Sequence, residues 1–519
     1  MIRSAPDLVL GLDLGTSSVK AGLYDAAGRT HGSGQAGYPI TRGQGGLAEQ
    51  LPEDWWQAAS AAVRQALREG GVAPERVAAA GLSGQVGTHV LLDRAGQPLR
   101  PAISWQDTRA RLEAVEVRDR LGRARLAENL GLDLPPGAAW PLPRLLWLSR
   151  HAPADLARAW RLLLAKDYVA FRLTGELATD ASSWRGLLRL PGAEIAVELL
   201  RELDLPLDLL AARLPPSAVM GHVSPAAAEA CGLAAGTPVV TGWNDLNCGL
   251  LGTGVVRPGM GFDIGGTSEH LGLALPAGGP LPADGLMLAP YLGDDLAGAS
   301  RAARVCYGVT SAGGGSLDWY ANALAHAAGT QADLEAAAAS APPGAGGLIF
   351  LPYLNGERAP MWDADARGVF FGLNSAHRQA HFARAVLEGV AFSLRQVLAL
   401  VEAAAGARVD RLHASGGPAR LALWNQIKAD VLGRPLVIPR ETHAACLGAA
   451  MLAAIGSGWF SGAAPAAEAM VQFASDVQPN PANSARYDAL FAVYAGLYPQ
   501  LRGAYAQLAA INLTEETQT

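Results

Sequence analysis

A turn made of an acid, glycines and hydroxyls occurs twice in this chain of 519 residues. The first copy reads Asp13-Leu14-Gly15-Thr16-Ser17-Ser18, between the apolar runs LVLGL and VKAGLY. The second reads Asp263-Ile264-Gly265-Gly266-Thr267-Ser268, between GMGF and EHLGLAL, 250 positions later. Each reads as a tight turn between two strands. Glycine lets backbone N–H groups converge into an anion-binding concavity. Thr and Ser hydroxyls add donors, and an Asp can hold Mg²⁺ through water. The same residue types also build ordinary hairpins, so one copy alone decides nothing. Two copies, one per half, predict two related domains gripping the phosphates of one nucleotide. No GxxxxGK[ST] loop occurs, so the phosphate site is not of the Walker type. Ser17-Ser18-Val19-Lys20 fits SxxK, but no KTG or SDN accompanies it, which argues against a penicillin-type nucleophile.

A chain this long exceeds one hydrophobic core, so two large domains are expected. The Gly-rich stretch 249–261 is the boundary, dividing the chain into domains 1–255 and 256–519. Half the residues are hydrophobic and 17% charged, the balance of a globular protein. A net charge of −6 offers no basic footprint for nucleic acid or an anionic membrane. No leader peptide or membrane-spanning run is legible. Cys231, Cys248, Cys306 and Cys446 form no CxxC pair and read as buried free thiols of a cytoplasmic protein. Only Lys20, Lys166 and Lys428 are lysines among 41 basic residues.

Residues 7–40 read as a β-meander. DWWQAASAAVRQALREG reads as an amphipathic helix with Asp54 as its N-cap. RVAAAGLSG is a strand, and helical patterns dominate residues 110–170. GTPVVTGW is a buried strand delivering Asn244 and Asp245 at its carboxyl end, where open α/β sheets bind ligands. VDRLHASGGPA is a strand with a glycine turn, and LWNQIKADVLG is the helix after it. AACLGAAMLAAI is a small-residue helix suited to close packing. The alternation predicts an α/β fold with helices flanking a mixed sheet.

Several residues carry two readings. Asp245 is either a helix N-cap or a general base, since transfer from ATP to an alcohol needs a carboxylate to take the hydroxyl proton. Ser415-Gly416-Gly417-Pro418-Ala419 is either a plain strand–helix connection or a close backbone approach to a purine. Trp105, Asp107 and Arg109 share one face if their segment is extended. They then suit a polyol, or form a salt bridge beside a core Trp. Gln85 and His89 can join that site, although a lone His often has a structural role. Glu357-Arg358 reads as a structural ion pair holding an irregular loop.

Together these residues resemble the FGGY carbohydrate kinases, from about residue 7 to 455. GLDLGTSSVKAGLYD is similar to the family's first phosphate loop and DIGGTSEH to its second. GVFFGLNSAHRQAHFARAVLE resembles its C-terminal signature, SGGPARLALWNQIKADVLGRPL its adenosine-side turn and helix, and LLLAKDYVAFRLTGELATDASS its conserved helix and loop. The resemblance implies two actin-like (ribonuclease H-like) ATPase domains around a central cleft. It implies ATP-dependent phosphorylation of a sugar or polyol, with Mg·ATP held mainly by the C-terminal domain and the sugar by the N-terminal one. Asp245 falls on the catalytic base and Asp13 on the metal position. Thr16, Thr267, Gly314 and Gly417 fall on nucleotide contacts, and Gly15, Ser17, Ser18, Lys20, Gly266, Ser268 and Gly416 complete that set. Gln85, Val86, Gly87, Trp105, Asp107, Arg109 and Asn244 form the implied acceptor site.

The xylulokinase-like branch is nearest. GLSGQVGTHVLLD is laid out like its GLSGQMHGxVLLD, and YLNGERAP like its YLxGERTP. Val86-Gly87 replaces the Met-His pair that contacts the ketose, while His89 stands two positions later. Asp245 is followed by Leu246-Asn247 rather than Asn-Ala. Arg144 stands where Lys is usual, and Ser149-Arg150 also departs. The expected acceptor is therefore a ketopentose such as xylulose, with gluconate, ribulose, erythritol or a hexulose as alternatives. A homodimer is the assembly to test. An actin-like or heat-shock-type ATPase module would need neither the acid at Asp245 nor a sugar pocket. A regulatory pseudokinase fits poorly with retention of Asp13, Thr16, Asp245, Thr267 and Gly417.

Overall fold

The computed structural model describes residues 6–516 except 123, 127–136, 181, 185, 190–193, 279–284, 293–295, 297–302 and 325–329. The strands that position the site in the first half are β1 Leu8–Leu14, β2 Ser18–Tyr24, β3 Thr30–Gly37, β4 Val77–Gly84, β5 His89–Leu92, β6 Val219–His222, β7 Pro238–Val240 and β8 Trp243–Asn244. In the second half they are β9 Gly261–Gly265, β10 Glu269–Leu275, β11 Met287–Pro290, β12 Arg304–Val309, β13 Leu412–Gly416, β14 Leu436–Pro439 and β15 Phe473–Val477. The helices needed below are α1 Pro52–Gly70, α2 Pro141–His151, α3 Ala165–Thr174, α4 Asp245–Gly252, α5 Gly314–Ala323, α6 Gln379–Ala405, α7 Ala422–Leu432 and α8 Ala444–Gly456.

The two halves repeat one sheet. The first runs β6-β7-β4-β1-β2-β3, with β8 also beside β4. The second runs β15-β14-β13-β9-β10-β12, extended by β11. In each, the central strand pairs antiparallel with the hairpin partner and parallel with the strand on its other side. A central strand loses its solvent face, which is why LVLGL is apolar without alternation. Helix α1 covers β2 and β3, while α6 covers β10 and β12. Helix α8, from the second half, packs on β1 and β4 of the first. One apolar cluster unites Val9, Tyr24 and Ala79 with Phe262, Met451 and Leu452 across that junction. The two-domain α/β architecture is as expected, and all four cysteines are buried and free. Among the described residues no helix is long and apolar enough to cross a membrane.

Three local expectations are corrected. Helix α1 begins at Pro52, whose fixed φ suits the first helical position, and Leu51 is the N-cap. Asp54 therefore sits in the first turn, where a negative charge favours the helix dipole. GTPVVTGW is not one strand, because Gly242 at φ +75° breaks it between β7 and β8. Gly249, placed in the boundary stretch, lies inside α4.

The fourth correction concerns the repeat itself. In the first hairpin Asp13 pairs with Lys20 across the turn and lies beside Ser83 of β4. In the second, the residue pairing with His270 and lying beside Ser415 of β13 is Ile264. The first turn spans the residues between Leu14 and Val19, the second only those between Gly265 and Glu269. The second turn is one residue shorter, and one residue reverses the face of every side chain on a strand. Asp263 thus points away from the position Asp13 occupies. It contacts Lys428 Nζ on α7 at 2.8 Å.

Candidate active site

A cavity of about 240 Å³ lies where the two hairpins meet, lined by Asp13, Lys20 and Asp245 from the first half and Ile264, His270, Gly416 and His443 from the second. Asn244 is the N-cap of α4, its Oδ1 accepting from Asn247 N at 2.9 Å. The capping reading thus belongs to Asn244 and not to Asp245. Asp245, the first helical residue, is exposed to the cavity. The positive end of the helix favours an ionised carboxylate there. Asp13 accepts from Ser83 Oγ at 2.8 Å. Burial pushes its carboxyl up, while Ser83, Lys20 and His443 pull it down.

The first turn is tied to its surroundings. Thr16 Oγ1 accepts from Trp105 Nε1 at 2.9 Å, leaving its own O–H to donate, and the Thr16 carbonyl accepts from Gln50 Nε2 at 2.7 Å. Tyr38 donates to the Gly15 carbonyl. Ser17 is exposed at the tip, and Ser18 accepts from Gln35 Nε2 at 3.3 Å. On the second turn, the Gly266 and Thr267 carbonyls accept from Gly314 N at 2.8 Å and Gly315 N at 3.1 Å, which seats α5 on it. Thr267 lines a second cavity of about 230 Å³ with Ser311, Ser316, Trp319 and Asn355. Ser268 closes the turn by accepting from Gly266 N at 2.8 Å. Gly416 pairs with Gly265 at φ +92°, and a Cβ there would lie 1.8 Å from the Gly265 carbonyl oxygen. The third glycine turn is therefore brought against the second hairpin, with Gly417 facing open space.

Beside the first turn lies a cavity of about 150 Å³ lined by Val86, Gly87, His89, Trp105, Ala139, Trp140, Pro141 and Ser183. It holds Val86, Gly87 and Trp105 of the expected acceptor residues. Asp107 and Arg109 do not line it, because residues 105–110 form turns rather than an extended segment. The Asp107 carboxylate is taken by Ala48 N at 2.7 Å, Arg109 N at 2.9 Å and the Arg109 guanidinium at 2.6 Å. Arg109 also meets Glu49 at 2.9 Å and lies over the Trp147 ring. The pair braces the turn that carries Trp105. Gln85 is buried, its Nε2 donating to Gln50 Oε1 at 3.1 Å and its Oε1 lacking a partner among the described residues.

Sequence reasoning missed Trp140 and Ser183, which share no spacing with the other lining residues. It also missed the buried cluster under the second hairpin, where Lys428 contacts Asp263 and Glu269. Burial pushes the Glu269 carboxyl up and Lys428 pulls it down. The only signal was the scarcity of lysine. Glu357 and Arg358 do not pair through their side chains as expected. Glu357 Oε1 accepts from the Ser311 and Arg358 amides, and Arg358 donates to the Thr310 carbonyl at 2.7 Å.

Two glycine turns facing each other across a cleft, with a carboxylate at a helix start between them and a small pocket of aromatic rings, a histidine and a serine alongside, are the parts of a kinase acting on a small alcohol. Residues 8–252 match the N-terminal domain and residues 264–457 the C-terminal domain of the FGGY family of carbohydrate kinases. The chain belongs to that family, and it is a sugar kinase that uses ATP. It is 32% identical to the xylulose kinase of Bacillus subtilis over 494 residues, 94% of this chain and 96% of the relative. It is also 29% identical to the gluconokinase of the same organism, over 96% of this chain and 97% of that one. Ligand-bound xylulose kinase from Lactobacillus acidophilus superposes with a TM-score of 0.86 at 26% identity, covering 96% of this chain and 99% of the other.

Proposed function

We propose that this kinase phosphorylates a hydroxyl of a ketopentose, with xylulose the leading acceptor. The observation that carries the reading is the position of Asp245, exposed in the cleft and facing both hairpins. In this reading the acceptor hydroxyl oxygen attacks the γ-phosphorus, ADP leaves, and Asp245 takes the hydroxyl proton. The Thr16 and Thr267 hydroxyls and the Gly417 amide supply donors to the phosphates, Gly15 and Gly266 hold their turns tight through their own amides, and Lys20 supplies charge. Gly314 serves through the turn it supports. A magnesium ion fits at Asp13, a cleft carboxylate whose burial a cation would relieve. When bound, the ion would neutralise charge on the phosphates. The small cavity at Gly87 and Trp105 takes the sugar, and Gln85 and Asn244 belong to the proposed acceptor site without lining that cavity. Domains 1–255 and 256–519 divide sugar from nucleotide, and closure excludes water as a competing acceptor. A homodimer in the cytoplasm is the proposed state.

Similarity to a gluconokinase supports a second acceptor class, the aldonates. Coupled ADP release measured across D-xylulose, D-ribulose, D-gluconate, erythritol and a hexulose decides between them. A ketopentose is expected to give the highest kcat/KM. Because Val86-Gly87 lacks the imidazole of the Met-His pair, its lead over every other acceptor is expected to stay below about 100-fold. Preference for gluconate by about tenfold or more would overturn the ketopentose reading.

A further inference from the structure

Three of the residues by which this chain departs from the xylulokinase-like pattern, Gly87, His89 and Arg144, are scattered in sequence and adjacent in space. Arg144 on α2 is buried, and its guanidinium donates to the carbonyls of Ile103 and Ser104, each at 2.9 Å, and to the Gly87 carbonyl. The same guanidinium lies 3.1 Å from His89 Nδ1. Gly87 is a tight and strained place for a side chain. Its φ is +78°, and a Cβ would sit 3.2 Å from the Ala139 carbonyl oxygen and 3.3 Å from Trp105 Cβ. A side chain at position 87 would therefore be strained and tightly packed. His89 instead enters the same cavity at the head of β5, its ring 5.8 Å from that of Trp184.

The guanidinium presents donors only, and its Nη1 shares two hydrogens among the Gly87 and Ile103 carbonyls and His89 Nδ1, so a proton on Nδ1 would face a donor. Nδ1 of His89 therefore carries no proton, and the proton of the neutral ring is on Nε2. Nε2 has no hydrogen-bond partner among the described residues. We propose that His89, held in its Nε2–H tautomer by Arg144, is the specificity-determining donor of the acceptor pocket, offering one N–H to a carbonyl or hydroxyl oxygen of the sugar. Arg144 is its positioning residue. Burial and the neighbouring guanidinium both push the imidazole well below its usual range, so it stays neutral under working conditions. Asp107 and Arg109 stand behind Arg144 and balance one another. This inference rests on the acceptor site proposed above, and not on which sugar fills it.

The test uses whichever acceptor the panel selects, so a gluconate preference would overturn the ketopentose reading and still leave His89 open to trial. His89→Phe is expected to lower kcat/KM for the acceptor by about 30-fold or more, chiefly through KM, with KM for ATP within about twofold. His89→Gln, whose amide N–H replaces that of Nε2, is expected to recover most of the loss. Acceptor kcat/KM within about threefold of the unaltered enzyme in His89→Phe overturns the proposal. If His89→Phe fails to fold, nitrogen-15 NMR of histidine-labelled enzyme decides. A protonated Nε2 whose resonance moves when the acceptor is added supports the proposal, and a protonated Nδ1 or an unmoved Nε2 overturns it.

Discussion

Among single side chains, Asp245 has the sharpest consequence. Its carboxylate stands exposed in the cleft, while the neighbouring Asn244 does the capping. Asp245→Asn keeps the shape and the helix start while removing the carboxylate proposed to take the proton. It is expected to lower kcat by roughly 100-fold or more with ATP affinity spared. Near-normal turnover would show that another group takes the proton. Glu357 yields a prediction of another kind. Burial pushes its carboxyl up to about 7, against the Ser311 and Arg358 amides that pull it down. The unfolded chain releases this proton near the ordinary value of roughly 4.3. The folded chain therefore binds more protons between the two values, and stability falls as pH rises through that window. Tm is expected to fall between about pH 5 and pH 7.5 through this group, and Glu357→Gln is expected to flatten the slope. An unchanged slope would remove Glu357 as its source.

The elements divide according to how local their causes are. Both hairpins, the glycine turn after β13 and the close-packing helix α8 were legible, because turn glycines, apolar runs and small-residue stripes are neighbours in sequence. The face of the second hairpin was not, since it depends on a single residue of turn length. The Trp105 to Arg109 segment was misread because alternate spacing marks one face only in an extended chain, and this segment turns. The ion cluster beneath β9 was invisible because Lys428 and Asp263 are 165 residues apart. Two of the three lysines share this design. Lys166 of α3 meets Asp167 at 2.6 Å and Asp180 at 3.0 Å, as Lys428 meets Asp263 and Glu269. Lys428 ties α7 to both strands of the second hairpin, while Lys166 ties α3 to the loop that carries Asp180. Lys428→Met leaves two buried carboxylates facing each other, and a loss of about 3–5 kcal/mol is expected in thermal or urea unfolding. A loss below about 1 kcal/mol would mean that the cluster is not holding α7 to the hairpin.

For the whole molecule the critical contact is between α4 and α8, where the halves meet. A Cβ at Gly252 would lie 1.9 Å from the Ala444 carbonyl oxygen, and one at Gly448 would lie 1.9 Å from that of Cys248. The two backbones therefore touch reciprocally, and α4 also carries Asp245 at its cleft end. Gly252→Ala is expected to separate the helices, lowering Tm and kcat together while KM for ATP changes little. Unchanged kcat and Tm would show that the junction tolerates the spacing. The shorter second turn has a consequence at this scale as well. With Asp13 on one wall of the groove and Ile264 at the matching place on the other, a scaffold that repeats one sheet holds a charge pattern that is not repeated. One missing residue thus gives the duplicated frame a polarity, an acid on one wall and an aliphatic side chain on the other.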